Sequence, residues 1–381
     1  MSSRRNFLKV AGGAVVITAV SAAGLTQCDL MPNEAIEAWR GPRSRSGDPR
    51  VVALAYALLA PNPHNRQPWI VDLREAGAIT FYCDRERLLP ETDPFSRQIT
   101  VGCGAFLELL RMAAADMGFR AEVISFPGGV WPEGQIGDAP ICRVSFVADR
   151  EIKRDPLFAH VLKRRTNRQA FALTEVPRSA AMEIGDAMRD LPVRYDWTGE
   201  GTRLIGLREI AQRAWAIEVK KDSTYLESVK LFRITGSEIA QNRDGLSFHG
   251  PMFWWLNKLG LFSRETAMDP FARNQALTLI ETQLKTPAFG WIVTSANDRQ
   301  SQLVAGAAYV RANLKATALR FAMQPLSQAL QEFPEMLSVL AQHKIAVGAA
   351  ATETVQMFFR FGRAAQAEPS PRRPLDDIIR K

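Results

Sequence analysis

Helix-like and strand-like stretches do not alternate in this chain, and their order argues against a doubly wound sheet. A short apolar run at 51–59 has helical character and stops at Ala60-Pro61. Two strand-like pieces follow at 69–73 and 79–83, rich in β-branched and aromatic residues. Residues 99–119 then carry a helical period, with Phe106, Leu109, Leu110 and Ala113 on one face. Strands at 121–126 and 141–147 flank a Gly/Pro-rich excursion at 127–140. A helix-like stretch at 157–164 precedes two long amphipathic segments at 179–190 and 203–219, then a strand at 290–295 and a helix at 303–321. Long helices around a small, partly antiparallel sheet, an α+β arrangement, fit this order. The two helical stretches also align with each other. Residues 101–115 laid over 304–318 pair Val101 with Val304, Ala105 with Ala308, Ala113 with Ala316 and Ala115 with Ala318, and set Phe106 against Tyr309. That alignment suggests a repeated plan.

At 381 residues the chain is long enough for one large or two ordinary cores. Hydrophobic residues at 46% and charged residues at 23% are ordinary for a globular protein, which excludes bulk disorder. The net charge of +8 falls by three, to +5, once Arg4, Arg5 and Lys9 are assigned to the targeting segment described next. A mild excess of this size suits a small anionic ligand. No basic block interleaved with aromatics is present, so nucleic acid is not an expected partner. Cys28, Cys83, Cys103 and Cys142 form no CxxC pair, and His64, His160, His249 and His343 are scattered singly, so no metal site is expected. Cys83, Cys103 and Cys142 are expected to be free buried thiols.

Residues 1–28 read as an export signal. Ser3-Arg4-Arg5-Asn6-Phe7-Leu8-Lys9 precedes an uncharged apolar run, and the seven residues resemble a twin-arginine signal. That route takes folded proteins, often with a cofactor already loaded, so the export machinery is an expected partner and the periplasm the expected location. Leu25-Thr26-Gln27-Cys28 looks like a lipobox, although Gln27 stands where a small residue is usual. Three outcomes stay open: lipidation at Cys28, cleavage near Ala22, or an uncleaved inner-membrane anchor. The uncharged stretch at 10–28 has 19 residues, close to the ~20 needed to span a bilayer. Residues 29–48, polar with Pro32 and Pro42, read as a linker.

Two segments carry candidate chemistry. In Ala60-Pro61-Asn62-Pro63-His64-Asn65-Arg66-Gln67-Pro68-Trp69, three prolines stiffen a loop that bears the amides of Asn62, Asn65 and Gln67. Such amides suit a ring edge that alternates acceptors with a donor, and stiffness lowers the ordering cost of binding. A structural turn ahead of the Trp69 strand is the competing reading. In Lys163-Arg164-Arg165-Thr166-Asn167-Arg168, guanidinium forks and a hydroxyl match the geometry of a phosphate. A solvated basic turn is the alternative there.

Asn65-Arg66-Gln67-Pro68-Trp69 resembles the N-x-Q-P-W signature of the nitroreductase superfamily, and Arg164-Arg165-Thr166-Asn167-Arg168 resembles its R-R-S-x-R. The order is inverted, as in the Acg-type subgroup, where one chain carries two nitroreductase-like halves. Residues 93–104, Arg243-Asp244-Gly245-Leu246 and Arg372-Arg373-Pro374-Leu375-Asp376-Asp377 extend the resemblance over nearly all of 48–380. It implies a nitroreductase-like α+β fold built as a pseudo-dimer, with halves at 49–150 and 151–381. It implies one FMN, because the first half has no R-R-S-x-R counterpart. Arg164, Arg165, Thr166 and Arg168 would hold the phosphate with Arg372 or Arg373. Pro61, Asn62, Pro63 and Asn65, with Gln67 in the same loop, would line the ring. Ser327 and Gln328 occupy the family position beside the flavin N5. The implied activity is hydride transfer from NAD(P)H through FMN to a nitroaromatic or quinone, with no side chain required as acid or base. The alternative is storage of a covered FMN. Residues 240–265 hold an aromatic insertion, including Phe253, Trp254, Trp255 and Phe262, read as lid or core ahead of a membrane-contacting patch.

Overall fold

Burial that alternates along each strand builds the first sheet. The computed structural model describes residues 29–42, 47–132 and 134–380, so the export signal expected at 1–28 lies outside the described residues. Helix α1 (Pro49–Ala57) starts where the Asp48 side chain accepts from the Arg50 N–H and Pro49 presets the first turn. β1 (Trp69–Asp72) pairs antiparallel with β2 (Ala78–Cys83), setting Trp69 opposite Cys83. Helix α2 (Arg97–Asp116) follows, then β3 (Phe119–Ser125) and β4 (Cys142–Ala148). The four strands lie in the order β1-β2-β4-β3 and every neighbour is antiparallel. Trp69, Phe81 and Phe106 stack into the core beneath them, and Cys83, Cys103 and Cys142 are buried free thiols as expected.

The second unit repeats this plan around a long insertion. Helix α3 (Arg178–Asp186) leads into β5 (Arg194–Thr198). Then come α4 (Gly201–Lys220), α5 (Asp222–Lys230), β6 (Phe232–Ile234), α6 (Gly236–Gln241) and β7 (Leu246–Phe248). Helices α7 (Pro251–Lys258), α8 (Arg264–Ala267) and α9 (Pro270–Leu284) complete the excursion. β8 (Ala288–Thr294), α10 (Arg299–Ala318), β9 (Ala322–Pro325), α11 (Leu337–Ala346) and β10 (Thr354–Gly362) finish the unit. Its sheet runs β5-β8-β10-β9, again wholly antiparallel. Counted within each unit, both sheets read first-second-fourth-third, with a 20-residue helix between the second and third strands. The α+β arrangement is therefore a duplicated one.

The helices α2 and α10 pack on each other through two glycines. A Cβ on Gly104 would lie 2.0 Å from the Leu303 carbonyl oxygen, and one on Gly306 would lie 1.9 Å from that of Val101. Gly104 and Gly306 are 202 residues apart, and so are Val101 and Leu303, so the contact is reciprocal. The true equivalence is thus shifted by one residue from the pairing of Val101 with Val304 that side-chain identity suggests. Backbone approach sets the register here, and alanine-rich helices look alike at several offsets.

Two further corrections concern the connections. The helix-like stretch at 157–164 is a 3-10 helix, Pro156–Lys163. Part of the segment read as a linker, 29–42, folds against the body: Trp39 is buried and its indole N–H donates to the Ser370 carbonyl. Ile36 and Trp39 supply apolar surface that overrides the polar composition around them. The far end of the chain crosses back likewise, with the Val71 N–H donating to Ile378 O and Ile379 bridging β1 in parallel.

Candidate functional site

The proline loop is strained and held from three sides. His64, Asn65 and Gln67 have φ of 49°, 53° and 50°, left-handed values that a non-glycine residue keeps only when its surroundings impose them. Asn62 Oδ1 accepts from the Gln67 N–H at 2.7 Å and closes the loop. Gln67 is fully buried: its Nε2 donates to Arg243 O at 2.8 Å and its Oε1 accepts from the Arg373 N–H at 2.8 Å. Asn65 Nδ2 donates to Pro371 O at 3.1 Å, and Asn65 O accepts from the Gly245 N–H. The amides of Asn65 and Gln67 therefore tie the loop to the tail and to the insertion. Gly102 on α2 lies beneath, where a Cβ would come to 3.1 Å from that of Asn62.

Opposite the loop stands a set of arginines. Arg164 is 1% exposed, and its Nη2 donates to Leu59 O at 2.9 Å. Arg372, 3% exposed, shares that carbonyl at 3.3 Å and donates from Nη1 to Asn65 Oδ1 at 2.8 Å. Arg165 lies flat on Trp39, its guanidinium carbon 4.1 Å from the ring centroid, and Arg372 and Arg164 approach the same ring at 4.9 and 5.5 Å. Among the described residues no carboxylate stands against these three. Burial pulls the Arg164 and Arg165 guanidiniums down to about 10, and burial together with its two arginine neighbours holds Arg372 well below its usual value. Among the described residues the Nε atoms of all three are buried without a partner, as is Nδ2 of Asn313, whose Oδ1 faces Arg164.

Guanidiniums buried without a counter-charge are costly. Unpartnered donors converging on one place match an anion with several oxygens, such as a phosphate. The residues present fit a phosphate, and the proline loop stands beside them.

The other expected site residues divide. Thr166 is half-buried in the arginine turn, and Asn167 anchors that turn through its N–H to Met323 O and its Nδ2 to Ala365 O. Arg168 is exposed as a residue, yet its guanidinium lies toward His64 and the buried Tyr309, and burial lowers it from its usual value. Arg373 is spent elsewhere, donating to Gln67 O and lying 3.7 Å from Asp84, so Arg372 is the tail arginine that faces the cluster. Ser327 and Gln328 lie in a 3-10 turn against α4, where Gln328 bonds the buried Glu218 carboxyl; no hydrogen bond links them to the loop or the arginines. Trp39, Tyr309 and Asn313 were not expected. The last two stand one turn apart on α10, a spacing legible in sequence once that helix is known to face the site.

The insertion leans on the loop without joining the core. Asp244 takes ion pairs from Arg66, Arg87 and Arg233 at 3.2, 2.8 and 2.7 Å. Phe232, Phe248, Phe253 and Phe262 stack together, yet no residue of α7 is buried, which corrects the reading of this stretch as core.

No family model matches the chain. It is 25% identical over 349 residues to Acg, an inferred NAD(P)H nitroreductase of Mycobacterium tuberculosis, covering 86% of this chain and 94% of that relative. It is 25% identical over 353 residues to PigM, a likewise inferred NAD(P)H nitroreductase of a Serratia strain, covering 86% and 92%. Among solved structures, the FMN-dependent nitroreductase NfnB of Mycobacterium smegmatis in complex with NADPH overlaps 59% of this chain and 97% of its own. The identity there is 16% and the TM-score 0.38.

Proposed function

We propose that the chain is an exported, FMN-binding oxidoreductase of the nitroreductase superfamily, taking reducing equivalents from NAD(P)H and passing them to a nitro or quinone acceptor. The observation that carries this reading is the carboxylate-free cluster of Arg164, Arg165 and Arg372 around Trp39, bonded through Arg372 to Asn65 of the proline loop. In this reading Arg164, Arg165 and Arg372 hold the phosphate, helped by Thr166 and Arg168. Pro61, Asn62, Pro63 and Asn65 would support the ring, and Ser327 and Gln328 would be the residues beside its N5. FMN, when bound, supplies the hydride chemistry, and the chain supplies position, charge and shelter from water. Likeness to inferred NAD(P)H nitroreductases along most of the chain supports the same class.

Storage of a covered FMN is the second reading, favoured by the Asp244 ion pairs that press the insertion onto the loop. One experiment separates the two. The protein is purified with its flavin and mixed anaerobically with excess NADPH, and the flavin absorption band is followed. Bleaching followed by turnover with menadione or nitrofurazone supports the oxidoreductase. A band that stays unbleached supports storage, and a colourless protein that cannot be reconstituted with FMN removes both. Export is tested by fractionating cells: a change of Arg4 and Arg5 to lysine should retain the chain in the cytoplasm.

A further inference from the structure

The described part of the chain begins against the aromatic insertion. Asp29, the first described residue, is pinned there: its carbonyl accepts from Gly250 N at 2.8 Å and its carboxylate from Gly236 N at 2.5 Å. Gly250 is the residue immediately before α7. The 19-residue uncharged stretch at 10–28 is therefore joined, through Asp29, to the N-terminus of that helix.

What that helix presents is unusual for a face turned to water. α7 reads Pro251-Met252-Phe253-Trp254-Trp255-Leu256-Asn257-Lys258, and none of it is buried. Met252 and Leu259 are about half exposed, and Leu30 beside Asp29 is 58% exposed. From 245 to 264 the chain contains no Asp or Glu, whereas Lys258 lies over the Trp254 ring and Arg264 closes the stretch. The stacked rings of Phe232, Phe248, Phe253 and Phe262 brace the helix from behind. Among the described residues no helix is long and apolar enough to cross a membrane. Half-buried Trp254 beneath Lys258, beside the exposed Met252, Leu259 and Leu30, suits the headgroup layer of an anionic bilayer.

We propose that α7, with Leu30 and Leu259, rests on the surface of an anionic lipid bilayer. The inference is independent of whether FMN is bound.

The test uses the full chain in vesicles of phosphatidylethanolamine and phosphatidylglycerol, prepared with and without brominated acyl chains that quench nearby tryptophan. Emission should fall in the brominated vesicles. At least half of that loss should disappear in Trp254→Phe/Trp255→Phe. It should also disappear in Met252→Glu/Leu259→Glu, whose exposed positions leave the fold intact, as an unchanged circular dichroism spectrum and urea midpoint would report. Equal emission from both vesicle types while the chain still sediments with lipid overturns the proposal, since the N-terminal segment alone would then hold it. A lipid-free dimer dissociated by Met252→Glu/Leu259→Glu also overturns it and assigns the face to a second copy.

Discussion

Arg372 Nη1 donates to Asn65 Oδ1 at 2.8 Å, across 307 residues of sequence. With the Arg372 Nη2 bond to Ala60 O, it joins the arginine cluster to the proline loop. Arg372→Ala therefore removes a charged donor and loosens the loop, whereas Arg165→Ala removes a donor and its stacking on Trp39 without touching the loop. Each loss of a charged hydrogen bond should weaken FMN by about 1.5–3 kcal/mol. Flavin fluorescence titration should place Arg372→Ala at the upper end of that span. Unchanged affinity in both variants would show that the phosphate is held elsewhere.

The helix crossing gives a stability prediction. Gly104→Ala or Gly306→Ala drives a methyl group into the facing backbone, where overpacking costs about 1–3 kcal/mol or more. Gly206 on α4 has open space at its Cβ, so Gly206→Ala should be neutral or stabilise by up to about 1 kcal/mol. Urea denaturation of the three variants reads the difference. Equal midpoints would mean that the two helices are not in close backbone contact.

Asp244 neutralises three arginines drawn from the loop, the first unit and the insertion. Asp244→Asn should cost roughly 3 kcal/mol, the low end for breaking a buried ion pair, because the arginines keep some solvent. Hydrogen exchange should quicken at 62–67 and 231–246 together. Faster exchange confined to the insertion would mean that the loop is held independently.

His64 should make the fold acid-sensitive. Burial, then Arg168 and Arg66, lower its imidazole from 6.5 to about 4. A base whose folded pKa is depressed stabilises the fold above its unfolded value and loses that contribution as pH falls from about 6.5 toward 4. Buried His343, lowered to about 3, acts in the same direction. Asp93, raised to about 6 mainly by burial, acts in the opposite one. The comparison of wild type with His64→Gln isolates the loop histidine. Unfolding free energy measured between pH 7 and 4 should fall less steeply in the variant, and parallel curves would remove His64 from the account.

Both candidate segments were legible as residue types in a row: prolines with amides, and arginines with a hydroxyl. Their local chemistry did not reveal which atoms were free. Gln67 looked like a ring contact, yet it is spent holding Arg373 and Arg243, because a fully buried amide must satisfy donor and acceptor inside the protein. Arg373 looked equivalent to Arg372 until the tail placed one against Asp84 and the other against Trp39. Trp39 itself carried no signal, since a lone tryptophan in polar surroundings becomes a binding surface only when arginines from 125 and 333 residues away in sequence are stacked on it.

By itself the sequence determined the strands and the long helix of the first unit, through periods of two and of about 3.6, and the chemical character of the two motifs; the strand Thr354–Gly362, buried from Val355 onward, carries no such period. The tertiary structure decided the duplicated strand order, the register of α2 on α10 and the convergence of three cations without a counter-charge. Periodicity is a property of neighbours along the chain. Register and charge balance depend on which backbones approach and which groups share one buried space.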